Sequence, residues 1–389
     1  MRHFDYFTAP ESAALFELPP EQIPRNSGIE LLSVALGATL YMPADRPSLA
    51  ADITKQAAAG ATSVVVCLED SIADESVAEA ECNLVDAVQM LHAGEFPADA
   101  LPLLFIRVRE PAQIPALVTR LGAAVRVIDG FVLPKFSSAS GPEYLRALDF
   151  ADRSAGTTLL AMPVLESGAV LYAETRAAEL SRLRILFDAE RHRILALRLG
   201  ATDLCALYGL RRSPELSIYD IKVVADLIGD IVNALGRADG TGFTITGPVW
   251  EYFAAPERMF KPQLRRSPFD EHNEPELRGR LVLRAIDGLI REIQLDKANG
   301  LTGKTTIHPS HVAVVNALSV VSLEEYRDAS DVLSAGRGSG VLASVHGNKM
   351  NEIRPHSAWA TATLRRSRVF GVAADGVSFV DLLAASLPR

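Results

Sequence analysis

The chain is poor in cysteine, with three residues (Cys67, Cys82 and Cys205) widely spaced along it. So odd and scattered a set builds neither a disulfide framework nor a thiolate metal cage, and it fits reduced thiols in a cytoplasmic protein. No uninterrupted apolar run approaches the ~18 residues a spanning helix needs, and no cationic start leads into an apolar core. The expectation is therefore a cytoplasmic protein with no membrane partner. Positive charge is in deficit, with 39 Lys+Arg against 48 Asp+Glu and a net charge of −9. That balance argues against a nucleic-acid partner, which is held by Lys/Arg-rich faces. A glycine-rich dinucleotide turn is missing as well, because the first apolar run continues as YMPADRP.

Short apolar runs alternating with longer amphipathic stretches are present throughout. The runs are Thr39–Pro43, Ser63–Asp70, Leu101–Arg109, Gly130–Phe136, Thr158–Ser167, Ile194–Leu204, Phe243–Trp250 and Gly303–Pro309. Several are apolar throughout, as suits parallel strands covered on both faces. Between them, SLAADITKQAAAG follows Pro47 and stops at Gly60. Ser217–Leu235 carries an apolar stripe of Ile218, Ile221, Val224, Ile228, Val232 and Leu235. Leu277, Leu281, Leu289 and Ile293 make another before the last run. Eight βα units predict an α/β fold, a (β/α)8 TIM barrel over 38–335, with an N-terminal leader (1–37) and a C-terminal helical arm (336–389). A doubly wound open sheet is the competing arrangement. GRGSG at 336–340 reads as a linker turn, since no Lys-Ser/Thr follows it.

Chemistry in such a barrel belongs at the C-terminal ends of its strands. Polar residues gather there: Arg46, Glu69 and Asp70, Arg107 and Arg109, Lys135, Glu166, Asp203, Trp250 and Glu251, and His308. Glu166 and Asp203, on adjacent strands, would set two hard oxygen ligands side by side, a pair suited to Mg2+ or Mn2+. Each carboxylate alone is equally well read as a helix-terminus group. Arg107 would clamp a substrate carboxylate or carbonyl oxygen, pair with Glu69 or Asp70, or both. Strand alternation would send one of Glu69 and Asp70 to the mouth and the other to the helix layer. Lys135 reads as a rim lysine, an anion contact or a Schiff-base lysine, and His308 as a base or a loop-anchoring residue.

In this order, YMPADRP, LEDSI, IRVR, VLPK, VLES, LGATDL and GKTTIHPSHV make the chain resemble the HpcH/HpaI aldolase and citrate lyase β-subunit superfamily over residues 38–370. The resemblance implies a Mg2+-dependent lyase working through a metal-stabilised enolate. It implies Glu166 and Asp203 as metal ligands, Arg107 on the carbonyl or enolate oxygen, and Glu69 and Asp70 on metal-bound waters. The substrate would be a small carboxylate or carbonyl compound, an acyl-CoA being one form of it, with Arg46, Lys135, Arg109 and His308 around it. Cys67 and Arg109 depart from the family pattern. RLRILFDAERHR between Glu166 and Asp203 implies a remodelled loop over the metal. Glu352 stands where relatives carry a C-terminal Asp for proton transfer, often supplied by a neighbouring subunit. These departures resemble the branch associated with tellurium-resistance gene clusters. A homo-oligomer, trimer or hexamer, is implied, with the arm exchanged between subunits. Two other readings are a catalytically silent binding or assembly subunit and a metal-free aldolase with Lys135 as its Schiff base.

Overall fold

A computed structural model describes residues 1–94, 100–253, 286–336, 340–344 and 347–386. Leu277, Leu281 and most of the GRGSG turn lie outside those residues.

The apolar runs form parallel strands: β1 (Ala38–Pro43), β2 (Ser63–Cys67), β3 (Leu103–Arg107), β4 (Gly130–Leu133), β5 (Leu160–Leu165), β6 (Arg198–Leu199) and β7 (Lys304–Thr306). They make one sheet in the spatial order β6-β5-β4-β3-β2-β1-β7. The seventh apolar run makes no ladder strand, yet it spans the two edges. The Leu197 amide donates to the Thr244 carbonyl at 2.8 Å and the Thr246 amide to the Leu197 carbonyl at 2.9 Å. On its other side, the Thr305 amide donates to the Gly247 carbonyl at 3.0 Å and the Gly247 amide to the Gly303 carbonyl at 3.1 Å. This seam closes the sheet on itself, and an open doubly wound sheet is excluded. The fold is a TIM barrel.

Helices cover the outside: α1 (Leu49–Ala58), α2 (Val77–Ala93), α3 (Gln113–Leu121), α4 (Gly141–Ala155), α5 (Ala173–Ala189), α6 (Lys222–Leu235), α7 (Ile286–Ala298) and α8 (Ser310–Ser319). α1 ends one residue before Ala59-Gly60, where Gly60 at φ +97° breaks the helix as its sequence predicts. α6 begins later than its apolar stripe, because a Ser217–Asp220 capping box first forms a 3-10 turn. Its buried face is Val224, Leu227, Ile228, Ile231 and Leu235. The segment RLRILFDAERHR belongs mostly to α5, so it is barrel wall and not a loop over the site.

The leader packs across the N-terminal ends of the strands. Arg25 pairs with Asp129 at 2.7 Å and donates to the Leu101 carbonyl, both ahead of strands. Phe16–Leu18 pairs antiparallel with Val372–Ala373, tying the leader to the chain's far end. Beyond the barrel, α9 (Leu323–Ser334) and α10 (Ile353–Phe370) pack together over Ala329, Val332 and Ala360. An antiparallel hairpin of Val341–Ala343 and Met350–Glu352 precedes α10. Among the described residues, no helix is long and apolar enough to cross a membrane.

Candidate active site

Parallel register brings the strand ends to one level. Cys67 lies beside Arg107, Arg107 beside Val132, Leu133 beside Pro163, and Leu165 beside Leu199. The residues that follow share one rim around a cavity of about 470 Å3, lined among others by Tyr41, Asp70, Arg107, Glu166, Arg198, Asp203 and Thr305.

Arg107, the last residue of β3, stands among three carboxylates. Its Nη2 is 2.6 Å from Glu69 Oε2, 3.4 Å from Asp70 Oδ2 and 3.4 Å from Glu166 Oε1. Lys135 Nζ reaches Glu69 Oε1 at 2.5 Å and Asp70 Oδ1 at 3.5 Å. Glu69 and Asp70 therefore share both cations, and the expected division between mouth and helix layer fails. β2 ends at Cys67, so strand alternation no longer governs the two residues beyond it. They differ in burial instead, with side chains 6% and 53% exposed. Burial and the Asp70 contact push the Glu69 carboxyl up. Burial also raises Asp70, but the Glu69 hydrogen bond, Arg107 and Lys135 outweigh it and leave Asp70 below its ordinary value. Burial works against the Lys135 ammonium too, yet Glu69 and Asp70 overcome it and raise Lys135.

Glu166 follows β5 and is 3% exposed. Its Oε1 accepts the Lys135 amide at 2.8 Å, an approach that Lys135 makes at φ +47°. A left-handed lysine costs about 1–3 kcal/mol and persists where surrounding contacts impose it. The other oxygen, Oε2, is buried with no hydrogen-bond partner. A Cβ on Gly200 would lie 1.9 Å from that oxygen, so this carboxylate position requires glycine there. Burial, opposed by Arg107 and reinforced by Asp203, lifts Glu166 to about 7. Asp203 stands in the first turn of the helix Ala201–Ala206, facing the same cavity.

An orphaned buried carboxylate oxygen beside a second carboxylate is a fit for a hard divalent cation. Among the described residues, no cluster of three or more His, Cys, Asp or Glu side chains makes a complete cage. Two protein oxygens leave the remaining positions to water or substrate, the usual arrangement for Mg2+.

Other candidates are placed elsewhere. Arg109 donates from Nε to the Leu68 carbonyl at 2.8 Å and from Nη1 to Asp74 at 2.5 Å, and it also bonds the Ile72 carbonyl. Its guanidinium thus braces the turn that carries Glu69 and Asp70. Exposed Arg46 pairs with Asp52 at 2.6 Å. His308 accepts or donates at Ser310 Oγ at 2.8 Å and stacks on Phe253 at 4.7 Å, while neighbouring Ile307 lines the cavity. Glu352 is exposed at the start of α10, outside the lining of its own chain's cavity. Arg198 also lines the cavity although it is not among the strand-end residues; its signal in the sequence is the one guanidinium that ILALRLG places inside an apolar run.

Residues 30–372 match the model of the C–C bond lyase family of the TIM-barrel fold, and the chain belongs to that family. An L-malyl-CoA/β-methylmalyl-CoA lyase of Cereibacter sphaeroides is 25% identical over 326 residues, 81% of this chain and 89% of its own. The crystal structure of CitE from Mycobacterium tuberculosis with magnesium, acetoacetate and coenzyme A superposes with a TM-score of 0.52 at 20% identity. That match covers 88% of this chain and 99% of CitE, and it supports the fold.

Proposed function

We propose that this C–C bond lyase acts on a small carboxylated carbonyl substrate with Mg2+ held by Glu166 and Asp203. The observation that carries the reading is Glu166 Oε2, buried without a partner in a cavity that Asp203 shares. The ion would supply a Lewis acid for the substrate's carbonyl oxygen. In the cleavage direction, a β-hydroxy carbonyl compound loses its hydroxyl proton and the bond between its α and β carbons breaks. The hydroxyl carbon becomes a carbonyl, and the bonding pair passes to the α carbon as an enolate. Arg107, already fixed by Glu69, would hold the developing oxyanion without reorganising. Its Nε is buried and unpartnered, leaving a donor to offer. The Glu69–Asp70 pair would take up the hydroxyl proton, being the carboxylates that share Lys135. Glu352 would serve a cavity only from a second copy of the chain. Similarity to a malyl-CoA lyase supports an acyl thioester as the enolate half of the substrate.

Lys135 held as an ammonium between two carboxylates is a poor amine nucleophile, which disfavours the Schiff-base reading. Calorimetry with Mg2+ on the unsubstituted protein, Glu166→Ala and Asp203→Ala tests the proposal. Both variants are expected to lose binding with the fold kept by circular dichroism, and unchanged binding in either rejects the site. Exchange of substrate α-protons in D2O separates a working lyase from a silent barrel.

A further inference from the structure

Deep in the cavity, the structure holds a cation with no anion. Arg198, on β6, is 1% exposed and points into the barrel. Its Nη2 donates to Thr305 Oγ1 at 2.5 Å and its Nη1 to Thr39 Oγ1 at 3.3 Å, while Nε has no partner. Among the described residues, no carboxylate lies within ion-pair distance of it. Its guanidinium carbon sits 5.4 Å from the Tyr41 ring. That phenol supplies no counter-charge, because burial raises it above its ordinary value and keeps it neutral.

A buried charge without a partner costs several kcal/mol after relaxation, so such groups are retained where something binds them. The rim explains why none of its own carboxylates serves. Glu69 and Asp70 are held by Arg107 and Lys135, and Glu166 and Asp203 would be met by the divalent ion. Glu251, which also lines the cavity, reaches Arg212 at 3.7 Å and accepts from the Thr202 hydroxyl at 2.7 Å. None of them reaches Arg198, whose side chain lines the cavity.

We propose that Arg198 is the receptor for a substrate carboxylate, received deep in the barrel together with the Thr305 hydroxyl. This assignment rests on the lyase reading for the identity of the ligand, and it deepens that reading. The substrate lies with its reacting carbonyl at the Glu166–Asp203 end and an anionic end on Arg198. Uncharged carbonyl compounds of the same size then leave the guanidinium unmatched and bind poorly.

Titration of the whole protein with acetoacetate tests this, with and without Mg2+, using methyl acetoacetate as the uncharged counterpart. In Arg198→Met, acetoacetate affinity is expected to fall roughly ten- to a hundredfold, the loss of a hydrogen-bonded charge contact. Methyl acetoacetate is expected to bind equally weakly to both proteins. Mg2+ affinity should stay unchanged, and the melting temperature of the ligand-free variant should rise, because an unpaired buried charge has gone. Arg198→Lys, which keeps the charge without the planar fork, should recover part of the affinity. Equal acetoacetate affinity in Arg198→Met and the unsubstituted protein overturns the proposal. So does an equal loss for the methyl ester, or a lowered melting temperature. Failure of the unsubstituted protein to bind Mg2+ would instead sink the metal-dependent reading, while the titrations in EDTA still decide the role of Arg198.

Discussion

At the scale of single residues, what decides the site is which groups lack partners. Glu166 is legible in the sequence as a carboxylate after an apolar strand, but its value as a ligand rests on an orphan oxygen that only packing reveals. Its raised proton affinity has a measurable consequence. A carboxyl lifted from 4.5 to about 7 binds a proton more tightly in the folded state. The metal-free protein therefore loses stability from this group as pH rises through that window. With Glu166 as a ligand of Mg2+, as proposed, the ion would have to displace that proton below about pH 7, so its apparent affinity should drop about tenfold per unit there and level off above. Isotherms from pH 5.5 to 8.5 check this, with Glu166→Gln expected to remove the slope, and a flat profile in the unsubstituted protein would contradict it. Arg107 and Arg109 are expected together around the substrate, but β3 stops at Arg107 and the chain turns Arg109 onto the Leu68 and Ile72 carbonyls. Arg198 was hidden for the opposite reason, since a strand-end search overlooks a charge within the strand.

At the scale of elements, apolar runs and their helical partners were readable because each buries against its neighbour with its own period. The seventh run was the exception, contributing bridges where a strand was expected. Neighbouring side chains bear on that seam. Lys304, fully enclosed on β7, holds Glu292 at 2.9 Å and Asp296 at 2.7 Å, both on α7. Glu292 in turn bonds Arg212 and the Ile218 amide, and Asp296 accepts from the Tyr219 hydroxyl at 2.9 Å. One lysine thus fastens strand, helix and the turn before α6 together. Removing one member of a buried ionic set strands the others. Lys304→Met should cost about 3–5 kcal/mol in denaturant unfolding. A loss below about 1 kcal/mol would show that the network adds little beyond what an apolar side chain supplies.

At the scale of the whole molecule, a length near 400 residues suggests two or three domains, yet one core cluster runs from Met1 to Leu383. The barrel explains this, because its seven strands and the bridging seam share one interior and cannot be divided. Its ring is closed at residues 244–247 by isolated bridges between two-residue β6 and three-residue β7, so the seam is expected to yield before the ladders. The groups proposed to bind ligand straddle it, with Arg198 on one side and Thr305 on the other. Gly247 sets how closely the seam can approach. A Cβ there would lie 2.5 Å from Asp296 Oδ2 and 2.9 Å from the Gly303 carbonyl, displacing both the lysine's partner and the backbone bond. Gly247→Ala should therefore cost at least the 1–3 kcal/mol typical of overpacking. Hydrogen exchange should rise first at the Gly247, Thr305 and Thr246 amides. Combined with Lys304→Met, its cost should be less than additive, because both act through Asp296. Strict additivity, or faster exchange spread evenly over all strands, would mean that the ring yields as a whole and that the seam is no weaker than the ladders beside it.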